Sequence, residues 1–162
     1  MKRFVLLPFA CFAATAGAHD KVDDPANPLV GTWTIERFVD TPEGGVPVYP
    51  FGERPRGLFI FTVDGHVSIN LMREMRAAAA DADPDPDVCT PDWYCSYFGT
   101  YTYDPSGPTW TTRVTGANIA NYLGSEQTRR FAIDGDTLII SETYQSGGST
   151  VQAERVLRRV AR

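Results

Sequence analysis

The sequence has few of the residues on which most catalytic sites depend. Its 162 residues include only two histidines and three cysteines. It has no Gly-x-Ser-x-Gly elbow, no phosphate-binding glycine loop and no metal-ligand motif. Without a well-placed histidine, acid–base chemistry would depend on a carboxylate or a tyrosine with a shifted pKa. The sequence therefore identifies no catalytic residue, and we lean against an enzyme.

Metal ligands are also too few or wrongly spaced. Cys89 and Cys95 with two distant histidines do not match a zinc site. Nothing brings His19 and His66 together for copper. The acidic run 81–87 lacks the central glycine and distal glutamate of a calcium loop. We expect no metal and no cofactor.

The chain lacks an apolar run long enough to span a membrane as a helix. Its longest run, 4–14, follows Lys2 and Arg3 and precedes Ala16-Gly17-Ala18, which has the form of a cleavage site. This pattern predicts a signal peptide, export to the periplasm or the exterior, and no stable membrane insertion. The expected division is a removed signal peptide (1–18), a flexible lead-in (19–28) and one domain (29–162).

Basic residues are outnumbered by acidic ones. Losing Lys2 and Arg3 with the signal peptide lowers the formal net charge from −5 to −7. An acidic surface disfavours nucleic acid as a partner. We expect a monomer whose partner is a small molecule.

Two cysteines remain after removal of the signal peptide, which contains Cys11. Cys89 and Cys95 are an even pair in a chain expected to be exported, so we predict a disulfide between them. The alternative is two free thiols.

The remaining chain is dominated by β-strand patterns separated by turn residues. Asp64-Gly65, Asp134-Gly135-Asp136 and Ser146-Gly147-Gly148-Ser149 each predict a tight connection. The pattern predicts an all-β fold, an antiparallel up-and-down barrel of about eight strands. One short helix is expected at 74–82, in a lid-like insertion. Eight strands enclose an interior that side chains fill or that holds one small ligand.

Several segments resemble the lipocalin-like domain proteins of bacteria and fungi. Gly31-Thr32-Trp33 resembles the Gly-x-Trp motif, and the segments 57–68, 98–101 and 124–138 resemble later strands and hairpins of that group. The resemblance implies a calycin-type barrel. It also implies that Trp33 lies at the closed end with a late-strand arginine packed across it, for which Arg155 is the candidate and Arg158 the alternative.

Two polar residues share a strand face with apolar ones. Period-two alternation puts Gln127 and Arg129 on the face of Phe131 and Ile133. A buried charge is costly unless it is paired, so these residues could mark the polar end of a ligand pocket. The alternatives are that they lie in water near the mouth of the barrel, or that they pair internally with a residue such as Glu126 or Asp136.

Aromatic residues on the neighbouring strands complete the predicted pocket. Tyr97 and Tyr101 share one strand face, and Trp110 and Thr112 share another. Packed core is the alternative for the tyrosines.

Three functions remain open at this point. The first is a protein that binds an apolar or amphipathic molecule inside the barrel. The second is an isomerase or cyclase that uses the same pocket, with Arg129 and a neighbouring tyrosine stabilising an enolate. The third is a filled barrel that acts through its surface.

Overall fold

The strands begin and end close to the turn residues in the sequence. This computed structural model describes residues 27–74 and 94–161. They form eight strands and one short 3-10 helix, Ala120–Tyr122. The strands are β1 (Gly31–Pro42), β2 (Arg56–Phe61), β3 (His66–Met72), β4 (Tyr94–Asp104), β5 (Thr109–Ala117), β6 (Glu126–Asp134), β7 (Thr137–Ser146) and β8 (Ser149–Ala161).

Each strand pairs antiparallel with the next, and β8 pairs with β1 to close the barrel. The prediction of an eight-stranded up-and-down barrel is therefore confirmed. The short helix predicted at 74–82, in a lid-like insertion, lies outside the described residues except for Glu74. Among the described residues, no helix is long and apolar enough to cross a membrane.

The two ends of the barrel differ in their connections. At one end β2–β3, β4–β5 and β6–β7 are joined by short turns, with Gly65 and Gly135 at φ 84° and 57°. A residue with a side chain rarely adopts such φ values, so glycine suits both turns. The connections β1–β2, β3–β4 and β5–β6 are longer and lie at the other end, together with the short β7–β8 turn. We call these the plugged end and the loop end.

A bulge in β1 changes which residues face inward. The pairing with β8 shifts between Ile35 and Arg37, and Glu36 and Arg37 are both exposed. One extra residue in a strand reverses the alternation beyond it. Asp40 is buried as a result, and Phe38 packs against the core.

The plugged end is closed by the segment that precedes β1. Trp33 is fully buried, and its indole Nε1 donates a 2.8 Å hydrogen bond to the Leu29 carbonyl. The Arg159 guanidinium lies 3.8 Å from the Trp33 ring centroid. It also donates 2.7 Å hydrogen bonds to the carbonyls of Val30 and Pro28. Arg159 thus fastens the segment before β1 to the last strand.

The assignment of Arg155 to this position was wrong. The Cα of Trp33 is paired with that of Arg159, whereas Arg155 is paired with Phe38, farther along β1. The alternative, Arg158, points outward and forms an exposed ion pair with Glu36. Both Arg155 and Arg159 share the inward face of β8, and the register with β1 decides which of them meets the indole.

Candidate functional site

A cavity of about 600 Å³ occupies the loop-end half of the barrel. Its apolar wall includes Phe59, Ile69, Leu71, Trp110 and Ile140, which come from β2, β3, β5 and β7. Trp110 makes an edge contact with Phe61, with ring centroids 5.4 Å apart. It therefore separates the cavity from the packed core toward the plugged end.

Arg129 and Gln127 line the cavity as the sequence predicts, and they belong to a connected polar group. Arg129 Nε lies 3.1 Å from Glu142 Oε1. Its Nη2 donates to the Tyr122 hydroxyl at 3.1 Å and to Gln127 Oε1 at 3.2 Å. Gln127 Nε2 donates to Ser125 Oγ at 2.7 Å. The arginine is therefore paired internally, with Glu142 rather than with Glu126 or Asp136.

A second ion pair lies on the wall formed by β8 and β1. Arg155 Nη1 donates to Asp40 Oδ1 at 2.7 Å, and each side chain is only 9% exposed. The Arg155 guanidinium also lies 3.3 Å from the Phe38 ring centroid. The other carboxylate oxygen of Asp40 accepts a 3.0 Å hydrogen bond from the Tyr144 hydroxyl. All four residues line the cavity.

The register of β8 places the two carboxylates on either side of one small residue. Ala153 is paired with Asp40 in β1 and with Glu142 in β7. Like charges this close would repel each other unless each had its own cation. Arg155 and Arg129 supply those cations, so the charges of the cavity wall balance.

Of the four other residues predicted to bind ligand, the structure brings Tyr97 and Trp110 to the cavity. Tyr101 faces inward but lies toward the plugged end, where its hydroxyl donates to the Thr62 carbonyl and accepts from Asn27 Nδ2, each at 3.1 Å. Thr112 is buried beside the cavity and does not line it. Alternation predicts which face a residue occupies, but not how far along the barrel axis it lies.

Two buried tyrosines have pKa values above the usual tyrosine pKa, so they keep their hydroxyl protons to a higher pH. Burial raises the pKa of Tyr97 strongly, although the charge of Arg129 opposes the shift. Burial raises the pKa of Tyr101 to about 12, and its hydrogen bond with Asn27 opposes that shift. The Tyr97 phenol in the cavity wall is therefore a neutral group.

Cys95 is half-buried in β4 and lines the cavity as a free thiol. Burial raises its pKa, so the thiol form is favoured. Its predicted partner, Cys89, lies outside the described residues, and the disulfide stays a prediction.

The sequence reasoning missed Asp40, Glu142, Tyr144 and Tyr122. Glu142 had a usable signal, since Leu138 and Ile140 precede it on the inward face of β7. Tyr122 comes from the 3-10 helix between β5 and β6, and no periodic pattern marks it.

Among the described residues, the charged groups that line the cavity are those of the two arginine–carboxylate pairs. No group of three or more histidines, cysteines, aspartates and glutamates is arranged to hold a metal ion within residues 27–74 and 94–161. The site as described offers an apolar wall, two balanced ion pairs and neutral polar side chains.

Sequence comparison matches the chain to one domain family. The profile described as the lipocalin-like domain matches residues 30–160, nearly the whole span of the eight strands. No curated protein matches the chain significantly. No solved structure does so either.

Proposed function

The chain belongs to the lipocalin-like domain family, and from that premise we propose that the barrel holds one small apolar or amphipathic molecule in its loop-end cavity. The observation that carries the proposal is the cavity of about 600 Å³ with its largely apolar wall. Small-molecule binding sites are typically pockets of this size with a mainly apolar lining. Eight-stranded lipocalin barrels hold a single small ligand.

The alternatives have less support. A filled barrel describes the plugged half, where Trp33 and Leu138 are fully buried, but not the loop-end half. An isomerase needs a free acid or base beside its ligand. Asp40 and Glu142 are both paired with arginine, so we assign no catalytic residue.

The test fills the cavity and compares that change with an equal change outside. Ile140→Trp adds an indole to the cavity wall, whereas Ile139→Trp adds it on the opposite face of β7. Binding of the neutral fluorophore N-phenyl-1-naphthylamine is measured by titration. Urea unfolding of each variant confirms that it folds.

We expect the unchanged protein and Ile139→Trp to bind the fluorophore alike and Ile140→Trp to bind at least about tenfold more weakly. No binding by the unchanged protein would overturn the proposal, as would equal binding by both variants. Native mass spectrometry of protein purified from its own source, followed by denaturing extraction, would then identify the natural ligand.

We propose further that the barrel acts after export. Support comes from the residues before the domain, where Lys2, Arg3 and a short apolar run precede Ala16-Gly17-Ala18. Intact-mass measurement on the protein from its own cells tests this. A chain that begins at His19 is the expected result, and a chain retaining residues 1–18 would contradict it.

Cys95 is a free thiol in the structure, and we propose that it becomes joined to Cys89 after export, because an oxidising compartment favours disulfides. The intact mass should be lower by two hydrogens than that of the reduced chain. Two thiols that react freely with iodoacetamide in the unfolded, unreduced protein would rule the disulfide out.

A further inference from the structure

Within residues 27–74 and 94–161, both arginines that line the cavity are paired with a carboxylate. Arg129 gives its Nε to Glu142 and its Nη2 to Tyr122 and Gln127. Arg155 gives its Nη1 to Asp40 and to two backbone carbonyls. A carboxylate ligand would therefore have to share an arginine with a protein carboxylate or displace that carboxylate.

The carboxylates of the cavity wall add to this cost. Asp40 and Glu142 flank Ala153 on neighbouring strands, so an incoming anion would approach two negative groups that are already balanced. It would leave the cavity with one net negative charge in surroundings of low dielectric constant. Burying an unpaired charge is far costlier than burying a neutral polar group.

A neutral polar group of the same wall is available to a ligand. Within residues 27–74 and 94–161, the Tyr97 hydroxyl forms no hydrogen bond, and Tyr97 lines the cavity. The Trp110 Nε1 also lacks a partner, but it is enclosed by protein atoms and cannot be reached from the cavity. A ligand in the cavity can therefore pair with the Tyr97 hydroxyl.

The chemistry of this hydroxyl indicates which ligand group would pair with it. A neutral phenol both donates and accepts hydrogen bonds. An uncharged ligand oxygen, as in a ketone, ether or alcohol, accepts a hydrogen bond from it without adding charge.

From these observations we infer that the cavity selects molecules whose polar end is an uncharged oxygen over carboxylates of the same chain length. The inference rests on the proposed function, because it names the class of ligand for that same cavity. It departs from the expectation that Arg129 would bind a ligand carboxylate.

The experiment uses matched twelve-carbon ligands on the full chain. 2-Dodecanone, 1-dodecanol and dodecanoate each displace N-phenyl-1-naphthylamine at pH 8, below their micelle-forming concentrations. We expect the ketone and the alcohol to displace it at concentrations at least about tenfold lower than dodecanoate. Loss of this preference for both neutral ligands would overturn the inference.

Two variants separate the pocket's preference from the ligands' own solubility. Glu142→Gln removes one charge beside Arg129, and Glu154→Gln removes one charge from an exposed pair with Arg37 on the outer surface. We expect Glu142→Gln to improve displacement by dodecanoate about tenfold while changing that by dodecanol less than about twofold. Glu154→Gln should change neither. Equal gains in both variants would overturn the inference.

A third variant tests the neutral group and does not depend on the charge change. Tyr97→Phe keeps the ring and removes the hydroxyl. It should weaken the binding of 2-dodecanone and 1-dodecanol several-fold more than the binding of the fluorophore, whereas an equal effect on all three would contradict the role of the hydroxyl. If the unchanged protein does not bind the fluorophore, the proposed function itself fails. If it binds but prefers dodecanoate, only the ligand class is wrong.

Discussion

The buried pair of Asp40 and Arg155 should dominate the stability of the loop end. Arg155 is 8% exposed, and in Asp40→Ala its guanidinium would keep hydrogen bonds to backbone carbonyls and its contact with the Phe38 ring but lose its carboxylate partner. Removing one partner of a buried pair costs about 3–5 kcal/mol. Because Arg155 keeps these other contacts, we expect Asp40→Ala to lower the free energy of unfolding by about 3 kcal/mol, at the lower end of that range. That is a large fraction of the stability of a small domain.

Asp40→Asn distinguishes charge from hydrogen bonding at this position. In Asp40→Asn the amide oxygen can still accept from Arg155, and the amide nitrogen can donate to the Tyr144 hydroxyl oxygen, which then accepts rather than donates. The loss in free energy of unfolding should therefore be about half that of Asp40→Ala, because one neutral hydrogen bond replaces an ionic one. Glu36→Ala is the matched control, since Glu36 pairs with Arg158 between the same two strands but on the exposed face. Its loss should be no more than about 0.5 kcal/mol.

The assay is urea unfolding followed by tryptophan fluorescence, with the slope of the transition checked for each variant. Asp40→Ala combined with Arg155→Met should cost less than the sum of the single changes, because the double variant leaves no buried charge unpaired. The reasoning is refuted if Asp40→Ala costs no more than Glu36→Ala, or if the double variant shows the full sum.

Three further changes test other parts of the barrel. Arg159→Leu should lower the free energy of unfolding by about 2–4 kcal/mol, because it removes the stacked cation and its two carbonyl contacts. Arg159→Lys should recover less than half of that loss. Urea unfolding of Arg159→Leu equal to that of the unchanged protein would contradict the role of Arg159 in closing the plugged end. Tyr101 ionises near pH 10 when unfolded but near pH 12 when folded, so stability should fall as pH rises through this window. The fall should be smaller in Tyr101→Phe, and identical urea midpoints against pH in the two proteins would contradict this. Gly99→Ala should cost more than about 3 kcal/mol, since its Cβ would lie 1.9 Å from the Arg113 carbonyl oxygen, whereas Thr100→Ala, on the outer face, should cost less than about 0.5 kcal/mol in thermal unfolding. A tolerated Gly99→Ala would show that this close approach can relax.

Local sequence signals predicted most of the fold because the barrel is built from neighbouring hairpins. Asp64-Gly65 and Asp134-Gly135 mark turns whose position depends on a few adjacent residues. The inward direction of Arg129 followed from Phe131 two residues later in the same strand. Such information is contained within one segment of the chain.

The partners of the polar residues could not be predicted in the same way. The choice between Arg155 and Arg159 at Trp33 depends on how β8 is aligned with a strand more than a hundred residues earlier. The bulge after Ile35 alters that alignment, and it also explains why Phe38 is out of phase with Trp33 in the sequence. Pairing across the closure of a barrel is a property of the whole sheet.

The residues that close the plugged end and the residues that line the cavity lie at different positions along the barrel axis. Trp33, Arg159 and Leu29 secure the folded state at one end, while the ligand-contacting side chains and longer connections lie at the other. Substitutions of cavity residues outside the Asp40–Arg155 pair should therefore leave the contacts that close the plugged end intact. A library for altered ligand specificity should keep the plug and that ion pair fixed and vary the other residues that line the cavity.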